Sequence, residues 1–154
     1  MLIISHRANL NGPDPSTENS PDAIRLAISK GFSVEVDLRI SNEKLYFGHD
    51  EPQYKTDLNF LNQHKTHLWI HCKDLDALEY CLERGFHCFW HNKDDYTLTN
   101  YRYVWAYPGK EPIGKLTIMV MPEWHWKPDE ILLKKPFGVC TDYPYEYQDI
   151  INRK

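Results

Sequence analysis

The chain has 154 residues, 42% of them hydrophobic and 14% aromatic, with a mean hydropathy of −0.62. That content builds a substantial core, which excludes disorder for most of the chain, and no apolar run approaches the ~18 residues that a membrane span needs. The net charge is −4, from 22 acids against 18 bases; a protein gripping a phosphate backbone is usually basic, so a nucleic-acid partner is not expected.

Residues 1–6, Met1-Leu2-Ile3-Ile4-Ser5-His6, have no basic start and only a short apolar stretch. They read as a first strand (2–5), not a secretion signal. Residues 9–21 are rich in Asn, Pro, Gly and Ser and predict a long loop, a feature often functional in compact domains. Ser20 as N-cap, Pro21 at the first helical position and Gly31 as the stop define a helix, with Ala23, Ile24, Ala27 and Ile28 on one face. Strands follow at 33–38 and 45–48, a short helix at 57–64, and a strand at 68–72. Asp74 caps the next helix, with Leu75, Leu78, Cys81 and Leu82 on one face and Gly85 as its end. Strands at 87–90, 103–106 and 116–121, a helix at 128–135, a strand at 138–141 and a terminal helix at 145–152 complete the series.

No linker interrupts the chain, so residues 1–154 form a single domain. Alternating strands and helices predict a parallel α/β sheet, and eight strands suggest a compact, irregular (β/α)8 barrel of the TIM type. Such barrels typically need ~250 residues, whereas here each unit gets about nineteen, so several crossover helices must be shortened or missing. The link at 39–44 is too short for a helical crossover: strands two and three form a hairpin, or the chain runs back extended. An open three-layer α/β sheet is the alternative. The four cysteines lack a C-x-x-C spacing and match no standard zinc pattern; they are expected to be free, buried thiols in a cytoplasmic, reducing setting.

Strand two, Ser33-Val34-Glu35-Val36-Asp37-Leu38, puts Glu35 and Asp37 on one face and Val34, Val36 and Leu38 on the other. The carboxylates stand ~7 Å apart along the strand, a spacing one hard cation can bridge. Neither face of a barrel strand welcomes bare carboxylates, which favours a metal over a solvated surface. His6-Arg7 ends strand one, and Gly48-His49-Asp50 ends strand three. Strand ends of this kind carry the active site in parallel barrels. His6 and His49 on either side of a metal-bound phosphodiester would make an acid/base pair, and Arg7 would brace a phosphate oxygen or orient a carboxylate.

These runs, with Glu18-Asn19-Ser20-Pro21 between them, resemble the glycerophosphodiester phosphodiesterase family, whose motifs H-R-G, E-N-T, V-E-x-D and H-D fall in the same order. The match covers roughly the first fifty residues. Weaker echoes continue in Leu68-Trp69-Ile70-His71-Cys72-Lys73 and in Gly138-Val139-Cys140-Thr141-Asp142-Tyr143-Pro144. The resemblance implies a member of the phosphatidylinositol-specific phospholipase C-like barrels acting in lipid metabolism. It implies His6 and His49 as the acid/base pair, a divalent cation on Glu35 and Asp37, and Lys73 on the phosphate. A hydroxyl of the substrate would attack its own phosphate to give a cyclic phosphate, which is either released or opened by water. The cation is expected to be Mg or Ca; because His71 stands where the family has a third acid, its imidazole makes Mn or Zn the alternative. Glu18 or Glu123 are further acids that could complete the shell.

His71 and Lys73 share a strand face and are expected to look into the site, and His91 at the end of strand five is a candidate for the same mouth. Trp105, Tyr107, Glu123 and Trp124 close strands six and seven, where rings either stack on a sugar, cover a lipid-like group or simply pack. Asp142 either orients a site residue or caps the last helix. The expected activity is thus phosphodiester hydrolysis of a small molecule, a glycerophosphodiester or another polyol or sugar phosphodiester. The alternative is a non-catalytic phosphate- or glycan-binding module on the same scaffold. A thinly covered barrel makes a homodimer an additional expectation.

Overall fold

The computed structural model describes residues 1–153, a mixed α/β fold with one curled sheet of ten strands and five α-helices. In chain order the strands are β1 (Leu2–Ser5), β2 (Ser33–Ser41), β3 (Lys44–Phe47), β4 (Tyr54–Lys55), β5 (Leu68–Cys72), β6 (Cys88–Phe89), β7 (Tyr96–Leu98), β8 (Val104–Ala106), β9 (Thr117–Val120) and β10 (Gly138–Thr141). The helices are α1 (Pro21–Ser29), α2 (Leu58–His64), α3 (Leu75–Glu83), α4 (Pro128–Lys134) and α5 (Pro144–Asn152). Seven strands pair in parallel in the order β6-β5-β2-β1-β10-β9-β8. Between the outermost two, the Asn100 side chain binds β6, its Oδ1 accepting from Cys88 N–H at 2.9 Å.

The count of eight parallel staves is corrected here. The strand expected at 45–48 is β3, and it lies antiparallel on the far end of β2, pairing Leu38 with Phe47 and Ser41 with Lys44. The short 39–44 link is therefore a hairpin turn. β4 and β7, which no sequence signal marked, are antiparallel additions to β3 and β8.

The helix starts follow from local chemistry. The side chains of Ser20, Asp57 and Asp74 accept hydrogen bonds from the N–H groups of Ala23, Phe60 and Ala77, satisfying otherwise unpaired first-turn donors. In α1, Ile24 and Ala27 are the fully buried face. In α3 the buried residues are Ala77 and Cys81, while Leu75 and Leu82 are exposed, so the expected leucine face is displaced by part of a turn.

Strand alternation sorts the interior. Val34, Val36, Leu38, Ile70, Cys72 and Cys88 form the outer core under α1 and α3. Ile4, Trp69, Phe89, Trp105, Ile118 and Cys140 fill the inside of the curl. The period of two then carries the same inner face onward to His6, Glu35, Asp37, His71, His91 and Tyr107, which line a cleft at its mouth. All four cysteines are buried and unbridged. No helix among the described residues is long and apolar enough to cross a membrane.

Candidate metal and phosphate site

The cleft has a volume of about 410 Å³, and His6, Arg7, Glu35, Asp37, His49, His71 and Lys73 form its polar wall. Glu35 and Asp37 lie on the inner face of β2, with Asp37 beside His71 in the β2–β5 ladder. One ligand atom each from Glu35, Asp37 and His71 falls within 4.8 Å of the others, so this group can hold a metal ion. All three residues are buried.

Asp37 is held from several sides. Asn19 Nδ2 donates to its Oδ2 at 2.9 Å, and its own N–H donates to Asn19 Oδ1 at 2.9 Å. His71 Nδ1 stands 3.1 Å from Asp37 Oδ1, off the line of a hydrogen bond, and Lys73 Nζ stands at 3.6 Å. Burial alone would raise this carboxyl; the contact from His71, with Lys73 and Arg7 nearby, holds it well below the usual carboxylate range. Glu35 moves the other way, pushed up by burial and then by the charge of Asp37. Two adjacent carboxylates of opposite tendency are what a cation would reconcile, because it favours the charged form of both.

The donor set fits a divalent ion on a second count. Asp37 Oδ1, an acceptor within the ligand group, is buried without a hydrogen-bond partner, and in the same cleft His71 Nε2, His91 Nδ1 and the Arg7 Nε–H donor, which only an acceptor can satisfy, are also unpaired. Unpaired buried polar atoms cost free energy, and such atoms gathered in one place mark a site built for something other than the fold. Two carboxylates with one imidazole suit Mn or Zn, and Mg less well.

His6 and His49 reach the mouth by different routes. His6 follows β1, and its Nδ1 donates to Asp142 Oδ1 at 2.9 Å. Asn9 Nδ2 donates to the same oxygen at 2.8 Å. Burial works against a charged ring, but the Asp142 hydrogen bond and Glu35 outweigh it, so His6 is raised. Asp142 thus orients His6; it does not cap α5, whose N-cap is Tyr143. His49 does not end a parallel strand. The β2–β3 hairpin folds back and Gly48 N–H donates to Asp37 O at 3.0 Å, bringing His49 to the mouth from outside. Gly48, at φ 150°, is obligatory because a Cβ there would lie 2.1 Å from Glu51 O. The Arg39 guanidinium donates to the carbonyls of Gly48 and His49 and fixes the turn. Burial lowers His49, which Asp50 flanks at 2.8 Å.

Arg7 sits at φ 49° and its N–H donates to Glu35 Oε2 at 3.1 Å. Its Nη1 pairs with Glu18 Oε1 at 3.0 Å, and its Nε faces Asp37 Oδ2 at 3.3 Å. Glu18, a further candidate ligand by sequence, is the counter-charge of Arg7 and stands outside the group of Glu35, Asp37 and His71. Glu123 is also elsewhere engaged, accepting from Thr141 Oγ1 at 2.8 Å and from the Tyr147 hydroxyl at 3.2 Å. His91 stacks on His71 with ring centroids 4.7 Å apart, and burial brings it down to about 4.

Asn19, Arg39 and Asp142 are the positioning residues that strand patterns alone do not single out. Asn19 lies at the end of the long loop, at φ 63°, a conformation Asn tolerates better than most residues. No family model, curated protein or solved structure compared with the chain matches it.

Proposed function

We propose that this protein is a metal-dependent phosphodiesterase, acting on a glycerophosphodiester-like or other polyol or sugar phosphodiester. The convergence of two carboxylates, four imidazoles, Arg7 and Lys73 in one cleft carries this reading. The order of the sequence motifs supports kinship with the glycerophosphodiester phosphodiesterases. On that kinship the curled sheet is an abbreviated (β/α)8 barrel with seven parallel staves.

Glu35, Asp37 and His71 would hold the cation, which when bound supplies charge neutralisation at the phosphoryl oxygens and a more acidic attacking hydroxyl. Lys73, 3.6 Å from Asp37, and Arg7 present positive charge to the phosphate. A hydroxyl next to the ester attacks phosphorus, a new P–O bond forms, and the bond to the second alcohol breaks. One imidazole of the pair His6 and His49 takes the proton of the attacking hydroxyl, and the other gives a proton to the departing oxygen. The two rings have different settings, His6 hydrogen-bonded to Asp142 and His49 carried on the hairpin beside Asp50. Asp142 keeps the His6 ring in one orientation, and the hairpin anchored by Arg39 does the same for His49.

The test is turnover of glycerophosphodiesters by metal-stripped protein resupplied with Mg, Mn, Ca or Zn. Activity restored by one of these ions and abolished in Glu35→Gln supports the reading. Turnover that is the same with and without chelator removes it.

A further inference from the structure

The cleft has a second wall, made by Trp105, Tyr107, Pro108, Val120, Met121 and Trp124. Trp105 belongs to the interior, but Trp124 is 64% exposed and Tyr107 is 48% exposed. Exposing such rings to water is unfavourable, so their placement at the rim needs a cause. The chain supplies one. Met121 adopts a left-handed conformation at φ 43°, which turns the backbone out of β9 into the short turn Pro122–Trp124. Glu123 pins that turn through both carboxylate oxygens, to Thr141 of β10 and Tyr147 of α5. From the other side the His125 ring packs over Gly109, at φ 79°, where a Cβ would come within 3.0 Å of it. The segment carrying Tyr107 and the turn carrying Trp124 therefore support each other, and the backbone that presents the two rings is fixed without a ligand.

Resting on the phosphodiesterase reading, we propose that this wall seats the alcohol released in the reaction, and that this alcohol is an uncharged sugar stacked on Trp124 and Tyr107. Charge argues for it. None of the residues lining this wall is acidic, and Glu123 is turned toward Thr141 and Tyr147, so a cationic alcohol finds no counter-charge there. The Tyr107 hydroxyl and the Asn92 amide at the rim offer polar partners to hydroxyls of a sugar, which an alkyl chain lacks. A sugar offers an apolar ring face to the aromatics and hydroxyls to the rim. Size agrees: about 410 Å³ lies at the small end of the ~300–1,000 Å³ range of ligand pockets, too small for a diacyl lipid.

The experiment compares three diesters of glycerol phosphate whose second alcohol is glucose, ethanolamine or n-butanol, with Mn present. Wild-type protein should prefer the glucose diester in kcat/KM. Trp124→Ala should lose about tenfold on it, the effect of roughly 60 Å² of ring face returned to water. The loss on the other two should be several-fold smaller, and Trp124→Phe should recover most of the glucose activity. Equal losses on all three diesters, or a wild-type preference for ethanolamine or butanol, overturn the proposal. If the wild type cleaves none of them, the phosphodiesterase reading fails, and calorimetry decides the sugar platform separately. Glucose 1-phosphate binding more tightly than inorganic phosphate, with that difference lost in Trp124→Ala, sustains it. Equal affinity, or no binding of either, overturns it.

Discussion

From β1 to β6 the parallel strands are joined by α1, by the β3–β4 hairpin with α2, and by α3; from β6 to β9 no α-helix intervenes. The helix-backed half holds Glu35, Asp37, His71, Arg7 and Lys73, while the helix-poor half holds rings. The division has a physical cause. Buried charges must be held by fixed partners, and strands buttressed by α1 and α3 give Asp37 a rigid frame for Asn19, Arg7 and Lys73. The helix-poor half fills its interior with aromatic volume instead. Trp105 of β8 lies 4.5 Å by ring centroid from Phe89 of β6, and Tyr103 reaches across to Trp69 of the helix-backed β5 at 5.2 Å. Large rings bridge the interior between β5, β6 and β8 where β6 and β8 do not pair as strands.

Perturbing each half should therefore give different signatures. In the charged half, His49→Ala should lower kcat about 10²- to 10⁴-fold while leaving the melting temperature nearly unchanged, because the ring sits on a partly exposed turn. A steady-state assay paired with thermal unfolding checks both parts. Among the interior rings, Phe89→Ala should cost roughly 3–5 kcal/mol in denaturant unfolding, since Phe89 is 2% exposed and its ring packs against Trp105. Asn19→Ala connects the two ideas: it removes two hydrogen bonds to Asp37 and should weaken Mn affinity about 10- to 100-fold by calorimetry.

The smallest effect is on pH and concerns His87, buried between Trp69 and Tyr101 with Nε2 bound to Thr99 Oγ1 at 2.9 Å. Burial depresses it from 6.5 to about 4. Above pH 6.5 the ring is neutral whether folded or unfolded. Between 6.5 and 4 the unfolded chain takes up a proton that the folded chain refuses, so stability falls as pH falls, and below 4 this group causes no further loss. The full drop should be on the order of 2 kcal/mol once solvent contact is allowed for. Unfolding curves at pH 7 and pH 5 should differ less in His87→Asn than in the wild type.

The charged half was also the more legible from sequence. Glu35 and Asp37 two apart in an apolar strand announce a shared face, and His6, His71 and Lys73 follow from the same alternation. His49 is expected at the mouth as a strand end; of the two readings of the 39–44 link the hairpin is the one adopted, and it returns His49 to the level of Asp37. Asn19 and Asp142 stand in runs the sequence marks, but their partners lie 18 and 136 positions away, and no local pattern names Asp37 or His6 as those partners. In the ring-filled half, β7 has no sequence signal because Tyr96-Thr97-Leu98 is too short to show alternation. Trp124 sat among other aromatics with nothing in the sequence to separate rim from core; its exposure depends on the left-handed backbone at Met121, a conformation a non-glycine side chain does not advertise.

The central claim is that Glu35, Asp37 and His71 share one divalent cation beside His6 and His49. Crystals grown with Mn and measured on the long-wavelength side of the iron edge test it directly through an anomalous difference map. The account predicts a single strong peak within coordination distance, ~2.0–2.3 Å, of all three side chains. Full occupancy elsewhere on the protein, with no peak between Glu35 and Asp37, would contradict it.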